Sequence, residues 1–224
     1  MARFDRVTIY NEFLAGGLTP LFYHQDVEVA KKIADAIADG GARILEFTNR
    51  GDKALDVFKA LNSYCNERHS ELILGVGSVL DAPTAAIYIA AGANFIVAPI
   101  FDAETARLCN KRKIPYMPGC GSVTEISRAE EAGVEIVKIF PGSQVGGPGF
   151  IKAVRGPMPW TRLMPTGGVD ATKESIESWI KAGACAVGMG SKLVAQGLLE
   201  NGDYDEIRDR VRKCLEWIRE ARGI

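Results

Sequence analysis

"EIVKIFPGS", Glu135 to Ser143, is a short apolar run that ends in a proline–glycine turn and carries one lysine at its centre. Its length and composition are those of a strand, and the Pro-Gly pair stops it. Lysine is depleted in strands and is rarely fully buried without a partner. Lys138 therefore lies either on a solvated edge or inside the fold for its chemistry. What flanks the run decides between the two.

Moving outward in both directions, the same kind of run recurs. The series is "TPLFYH" near residue 21, "RILEFT" near 46, "ELILGVGS" near 75, "NFIVAP" near 96, "IPYMPG" near 116, "EIVKIFP" near 138, "RLMPTGG" near 164 and "CAVGMGS" near 187. The spacing is roughly 20 to 30 residues, the length of one βα unit. Between the runs lie stretches such as "VEVAKKIADAIADGGA" and "APTAAIYIAAGAN", with apolar spacing near 3.6 and a glycine-bearing stop. Asp26, Asp81, Asp102 and Asp170 read as helix N-caps, and "SVTE" at 122–125 as a capping box. Near the end, "YDEIRDRVRKCLEWIREARGI" places Ile207, Val211, Leu215 and Ile218 on one helical face. Eight strand–helix units predict an α/β fold: a single (β/α)8 TIM barrel domain over residues 1–224, with a short N-terminal helix and a C-terminal helix. A doubly wound open sheet is the rival, but "GVGSVL" lacks the third glycine of its dinucleotide fingerprint.

Composition narrows the partners. A hydrophobic content of 47 % supplies a large core, and a net charge of -1 gives no general attraction to nucleic acid or anionic membranes. No apolar run is long enough to span a bilayer, and the N-terminus lacks a secretory signal. Five scattered cysteines without a C-x-x-C pair fit reduced thiols in a cytoplasm. His24 and His69 are the only histidines, which excludes a multi-histidine metal site. No cofactor is expected.

Strand side chains alternate between faces. Val137 and Ile139 should face the outer helices, which turns Ile136, Lys138 and Phe140 inward. The same parity in "RILEFTNRG" turns Leu45 and Phe47 outward and Ile44, Glu46 and Thr48 inward. Two ionisable groups thus enter the barrel from the second and sixth strands, on opposite walls. As a purely structural ion pair they would be a poor choice, because desolvating both costs several kcal/mol. A lysine kept from water has its pKa lowered, and a neutral amine can attack a ketone to form a Schiff base. A carboxylate opposite it can move the protons that making or breaking the adjacent C–C bond requires.

"PTGGV" at 165–169 and "GMGSK" at 188–192 follow the seventh and eighth strands. In barrels those loops commonly bind phosphate through backbone N–H groups, although tight βα turns favour glycine too. Arg50, just past Glu46, has the planar fork that suits a carboxylate. Cys120 has no histidine neighbour and reads as a small turn residue. His24 reads as a rim or catalytic residue, and Tyr116 and the tryptophans as packing.

Taken in order, "LEFTNR", "GVGSVL", "IPYMPG", "VKIFPG" and "PTGGV" resemble the 2-keto-3-deoxy-6-phosphogluconate (KDPG) and 4-hydroxy-2-oxoglutarate (KHG) aldolases over residues 15–195. The resemblance implies a metal-independent class I lyase, homotrimeric, acting on a small keto acid. It implies Lys138 as the Schiff-base lysine and Glu46 as the acid/base acting through water. Arg50 and Ser78 would hold the pyruvyl carboxylate, with Pro99 and Phe140 lining the pocket. Thr166, Gly167, Gly168, Gly190 and Ser191 would contact the sugar chain and phosphate. The chain departs from the family pattern at Ser78 (usually threonine), at Asn49 and Gly51 beside the arginine, at Ser143 and at Lys192. These departures bear on substrate choice. A related keto-deoxy sugar acid, such as the phosphogalactonate epimer, is one alternative. Others are a phosphate-binding barrel enzyme using Lys138 only as a cation, or a sugar-acid sensor.

Overall fold

In chain order the computed structural model, which describes residues 2–224, begins α1 (Arg6–Gly16), β1 (Leu18–Phe22), α2 (Val27–Asp39), β2 (Ile44–Thr48) and α3 (Ala54–Arg68). It continues through β3 (Ile73–Gly77), α4 (Ala82–Ala90), β4 (Ile96–Val97), α5 (Ala103–Arg112), β5 (Tyr116–Met117), β6 (Gly119–Cys120) and α6 (Val123–Glu131). Then come β7 (Val137–Ile139), α7 (Gly147–Arg155), β8 (Leu163–Pro165), α8 (Lys173–Lys181), β9 (Val187–Met189), α9 (Gln196–Asn201) and α10 (Tyr204–Arg222).

Every strand pair is parallel. The order is β5-β4-β3-β2-β1-β9 in one sheet and β6-β7-β8 in another. Two links join them into a ring. β5 and β6 are one strand interrupted at Pro118, which has no N–H to give a ladder. An isolated bridge, Thr166 to Gly188, ties the end of β8 to β9. The result is the (β/α)8 TIM barrel, with the "IPYMPG" strand split in two by its second proline.

The predicted parity holds. Leu45, Phe47, Val137 and Ile139 belong to the outer core between strands and helices. Ile44 and Ile136 belong to a separate cluster inside the barrel, with Ile73, Phe95, Val97, Met117 and Met164. α1 contributes Ile9, Tyr10 and Phe13 to that same inner cluster and so closes the N-terminal end of the barrel. Phe13 meets Phe95 edge to face, with ring centroids 5.0 Å apart. Fully burying one such aromatic is worth about 1.5–3 kcal/mol, so Phe13→Ala should loosen this end.

Asp26, Asp81 and Asp102 cap α2, α4 and α5, each accepting backbone N–H groups of the first turn. At Ser122 the hydroxyl accepts from the Glu125 N–H at 3.3 Å, while the Glu125 carboxylate takes the Gly121 N–H at 2.8 Å. Asp170 is a correction: the N-cap of α8 is two residues later, Thr172, whose hydroxyl accepts from the Ser175 N–H. Asp170 instead pairs with Lys192 at 3.1 Å. α10 packs on α2 and α8 through Ile207, Val211, Cys214 and Ile218. The stripe steps four, three and four, so Cys214 takes the place expected of Leu215, which lies off the seam and is only partly buried.

Candidate active site

Glu46 is the middle residue of β2 and Lys138 the middle residue of β7. Both point inward, with 2 % and 6 % of their surface exposed, values otherwise typical of core aliphatics. Space for the carboxylate comes from the neighbouring strand. β2 and β3 run in register, Glu46 beside Gly75 and Thr48 beside Gly77. A side chain at Gly75 would overlap the Phe95 ring, and one at Gly77 would overlap Glu46 Oε1. The "GVG" of β3 therefore leaves an inward-facing hollow. Into it Glu46 leans, towards the C-terminal rim. The signal for this hollow in the sequence is the pair of alternate glycines, Gly75 and Gly77, on the inward parity of one strand.

Lys138 lies in register with Gly119 on one side and Met164 on the other, and its N–H donates to the Pro118 carbonyl at 3.0 Å. Nζ sits 4.9 Å from the centroid of the Phe140 ring, close enough for a favourable cation–π contact whenever the amine is protonated. Burial pushes the amine below the usual lysine range; the Glu46 charge opposes this and the Arg50 guanidinium reinforces it. Burial likewise pushes the Glu46 carboxyl up, against the pull of Lys138 and Arg50. The two groups interact only through space, without a hydrogen bond between them. Such a pair can exchange roles: an amine that is easily neutral and a carboxyl that is easily protonated.

At the C-terminal rim the remaining candidates separate into two groups. Arg50 is exposed, and its Nε lies 3.5 Å from Ser78 Oγ, just past β3. Ser78 takes a left-handed backbone, φ 59°, rare for a residue with a side chain. The Arg50 loop is fixed from below by the Asn49 N–H to the Gly77 carbonyl, 2.8 Å, and by the Tyr88 hydroxyl to Asn49 Oδ1, 2.8 Å. Pro99 is half-buried, and its backbone closes on Gly119, where a Cβ would collide with the Pro99 carbonyl.

The second group is the glycine loops. Gly167 and Gly168 have φ of 89° and 79°, a conformation glycine adopts freely. Their loop is zipped to the "PGS" turn after β7 by the Gly142 N–H to Thr166 O, 2.9 Å, and the Ser143 N–H to Gly167 O, 3.0 Å. Thr166 is buried against Gly188. The N–H groups of Gly168, Ser191 and Lys192 carry no hydrogen bond among the described residues, which leaves donors for an anion. The Lys192–Asp170 pair links the loop after β9 to the one after β8.

A cavity of about 580 Å³ opens over β1, β2 and β9, lined by Thr48, Arg50, Gly190, Ser191 and His24 among others. Lys138 and Glu46 are not in its wall but deeper in the barrel. His24 is a rim residue, its Nδ1 accepting the Asp26 N–H at 3.1 Å. Cys120 is buried in β6, and burial pushes its thiol up to about 12, unsuited to a nucleophile. Tyr116 and Trp179 are core residues, but Trp160 is 68 % exposed. No group of three or more His, Cys, Asp or Glu side chains is arranged to hold a metal among the described residues, and no helix there is long and apolar enough to cross a membrane.

The fold and the paired amine and carboxylate define a parallel α/β-barrel protein with a buried Lys138–Glu46 pair in its interior. A model of the KDPG and KHG aldolases matches residues 9–210, and the chain belongs to that family. It is 33 % identical over 210 residues to the 2-dehydro-3-deoxy-phosphogluconate aldolase of Pseudoalteromonas atlantica, covering 94 % of this chain and 95 % of that one. It is 32 % identical over 201 residues to the KHG/KDPG aldolase of Escherichia coli K12, covering 90 % and 92 %. Among solved structures it resembles the KDPG aldolase of Legionella pneumophila, in which pyruvate was captured at low pH as a covalent carbinolamine. The TM-score is 0.81 at 28 % identity, covering 90 % of this chain and 95 % of the other.

Proposed function

We propose that the protein is a class I aldolase that cleaves KDPG to pyruvate and glyceraldehyde 3-phosphate, and by the same steps 4-hydroxy-2-oxoglutarate to pyruvate and glyoxylate. The observation that carries this reading is the buried Lys138 amine, lowered in pKa and facing a buried Glu46 within a closed barrel. The Lys138 amine adds to the C2 ketone, giving a carbinolamine that loses water to become an iminium. Glu46, directly or through one water, takes the C4 hydroxyl proton as the C3–C4 bond breaks. The bonding electrons pass into the iminium and leave an enamine, while C4 departs as the aldehyde. Glu46 returns the proton to C3, and water then hydrolyses the iminium to free pyruvate and the amine.

Arg50 and Ser78 would anchor the carboxylate of the keto acid from the rim, the guanidinium through its planar fork of N–H donors. Pro99 and Phe140 would flank the pyruvyl group. Thr166, Gly167, Gly168, Gly190 and Ser191 would receive the distal hydroxyls and phosphate through N–H and hydroxyl donors. A homotrimer is the assembly we assign. Leu80, Ile87, Ile100 and Val123 are large apolar side chains 46–56 % exposed on three successive barrel units, surface that a second copy would cover.

The test is direct: incubation with KDPG should release pyruvate and glyceraldehyde 3-phosphate, measured with coupled dehydrogenases, at the same rate with and without EDTA. Activity abolished by EDTA and restored by Mg²⁺ would instead favour a metal-dependent barrel enzyme that uses Lys138 only as a cation.

A further inference from the structure

The N-terminal end of the barrel, opposite the catalytic rim, carries a second concave site. A cavity of about 500 Å³ lies where α7, α8 and α10 end around the starts of β8 and β9. Arg155, Arg162 and Arg222 line it, no aspartate or glutamate does, and the Trp160 indole stands on its wall, largely exposed. All three guanidiniums act on the Cys185 thiol in the same wall, opposing the effect of its burial, so their fields converge there.

Structural duties use only part of these arginines. Arg155 donates to the carbonyls of Gly183 and Pro159, at 3.0 and 3.1 Å, and Arg222 to those of Ala15 and Cys185, at 2.9 and 2.6 Å. Arg162 meets Glu135 at 3.3 Å from outside the cavity. A guanidinium has five N–H donors, so each keeps donors to spare. The decisive observation is the location of the unpartnered polar atoms. Among the described residues, two buried side-chain N or O atoms lack a hydrogen-bond partner: Arg155 Nε and Thr161 Oγ1. Both residues line this one cavity. Both atoms are closed off from the cavity as it stands, so an oxyanion reaches them once the Thr161 and Arg155 side chains turn outward, and it then satisfies donors that the fold leaves orphaned.

We propose that this cavity is a binding site for a small multiply charged oxyanion, a phosphate ester or a polycarboxylate, held by Arg155, Arg162, Arg222 and the Thr161 hydroxyl, with Trp160 against its less polar part. The ligand approaches from the side of Pro159, Trp160 and Arg162, the exposed members of the wall. Arg forks bind both kinds of oxyanion in two-point fashion, and no lining carboxylate competes with them. The inference is independent of the aldolase reading, since it uses no residue of the catalytic rim.

Inorganic pyrophosphate and citrate are the two probes, titrated separately into the full-length protein at low salt. Trp160 fluorescence is the readout, isolated by subtracting the response of Trp160→Phe. The expected result is a saturable change with at least one probe. Thr161→Val and Arg162→Gln should each weaken it by about tenfold, as for loss of one hydrogen bond to a charged group. Thr161→Val separates ligand binding from folding: if the hydroxyl serves nothing, replacing a buried unpartnered O–H by a methyl should leave Tm equal or higher and binding unchanged. A response to pyrophosphate alone marks a phosphate site, and to citrate alone a carboxylate site. No saturable Trp160 response to either probe at ~10 mM, or responses unaltered in both variants, overturns the proposal.

Discussion

Replacing Glu46 by Gln removes one ionisable group from the barrel and almost nothing else. The amide has the same shape and still fits the hollow over Gly77. Its effect on Lys138 has a definite sign. Burial lowers the Lys138 pKa, and the Glu46 charge is what raises it back. Without that charge the amine becomes still easier to keep neutral, so attack on a ketone should survive. Proton transfer at C3 and at the C4 hydroxyl should not. Loss of a positioned acid/base costs roughly 10²–10⁴-fold in turnover, or about 3–5.5 kcal/mol of barrier. Two assays separate the steps: coupled measurement of KDPG cleavage, and NMR of pyruvate methyl exchange in deuterated water. Both should fall by the same factor, while borohydride with pyruvate still labels the protein. A Glu46→Gln protein that exchanges and cleaves at near-normal rates would refute the reasoning and leave Glu46 a structural group.

In the proposed mechanism Arg50 holds the keto acid's carboxylate, and it also depresses the Lys138 pKa, after burial the remaining lowering influence. Arg50→Met should therefore raise KM for pyruvate in the exchange assay. It should also shift the acidic limb of the pH–rate profile to higher pH, since a more basic amine needs a higher pH to become neutral; an unmoved limb would show the guanidinium too far away to matter. Replacing the buried pair together, Glu46→Leu with Lys138→Met, should abolish catalysis and raise stability by about 1–4 kcal/mol. Calorimetry reads this at about 2–4 °C of Tm per kcal/mol in a chain of this size. A clear fall in Tm would mean that the pair supports the fold.

Parity in two short strands was enough to turn Glu46 and Lys138 inward, because each is bracketed by apolar residues, Leu45 and Phe47 or Val137 and Ile139, that must face the outer helices. The eight-fold βα repeat gave the barrel for the same reason: each unit buries one face of a helix on one face of a strand. Other features depend on contacts far apart in sequence. Nothing local in "RVTIYNEFLAG" marks α1 as the plug of the barrel, since its apolar residues include Val7, which is 67 % exposed, as well as the buried Ile9 and Phe13. The glycines of β3 read as flexible or turn-forming until Glu46 and Phe95 are placed over them. Asp170 looked like a cap because aspartate commonly is one, but Thr172 lay closer to the helix and Lys192 offered Asp170 a partner. The arginine cavity at the far end draws on segments from Leu14 to Arg222, so no single stretch announces it.

The central claim is that Lys138 is the imine-forming nucleophile. Pyruvate and borohydride should be added to the protein together, the product digested, and the modified peptide sequenced by mass spectrometry. The account predicts inactivation with one label, on the lysine of "IVKIFPGS", and none in Lys138→Arg, whose guanidinium cannot add to a ketone. A label on any other lysine, or full activity after borohydride treatment with no label, would contradict it.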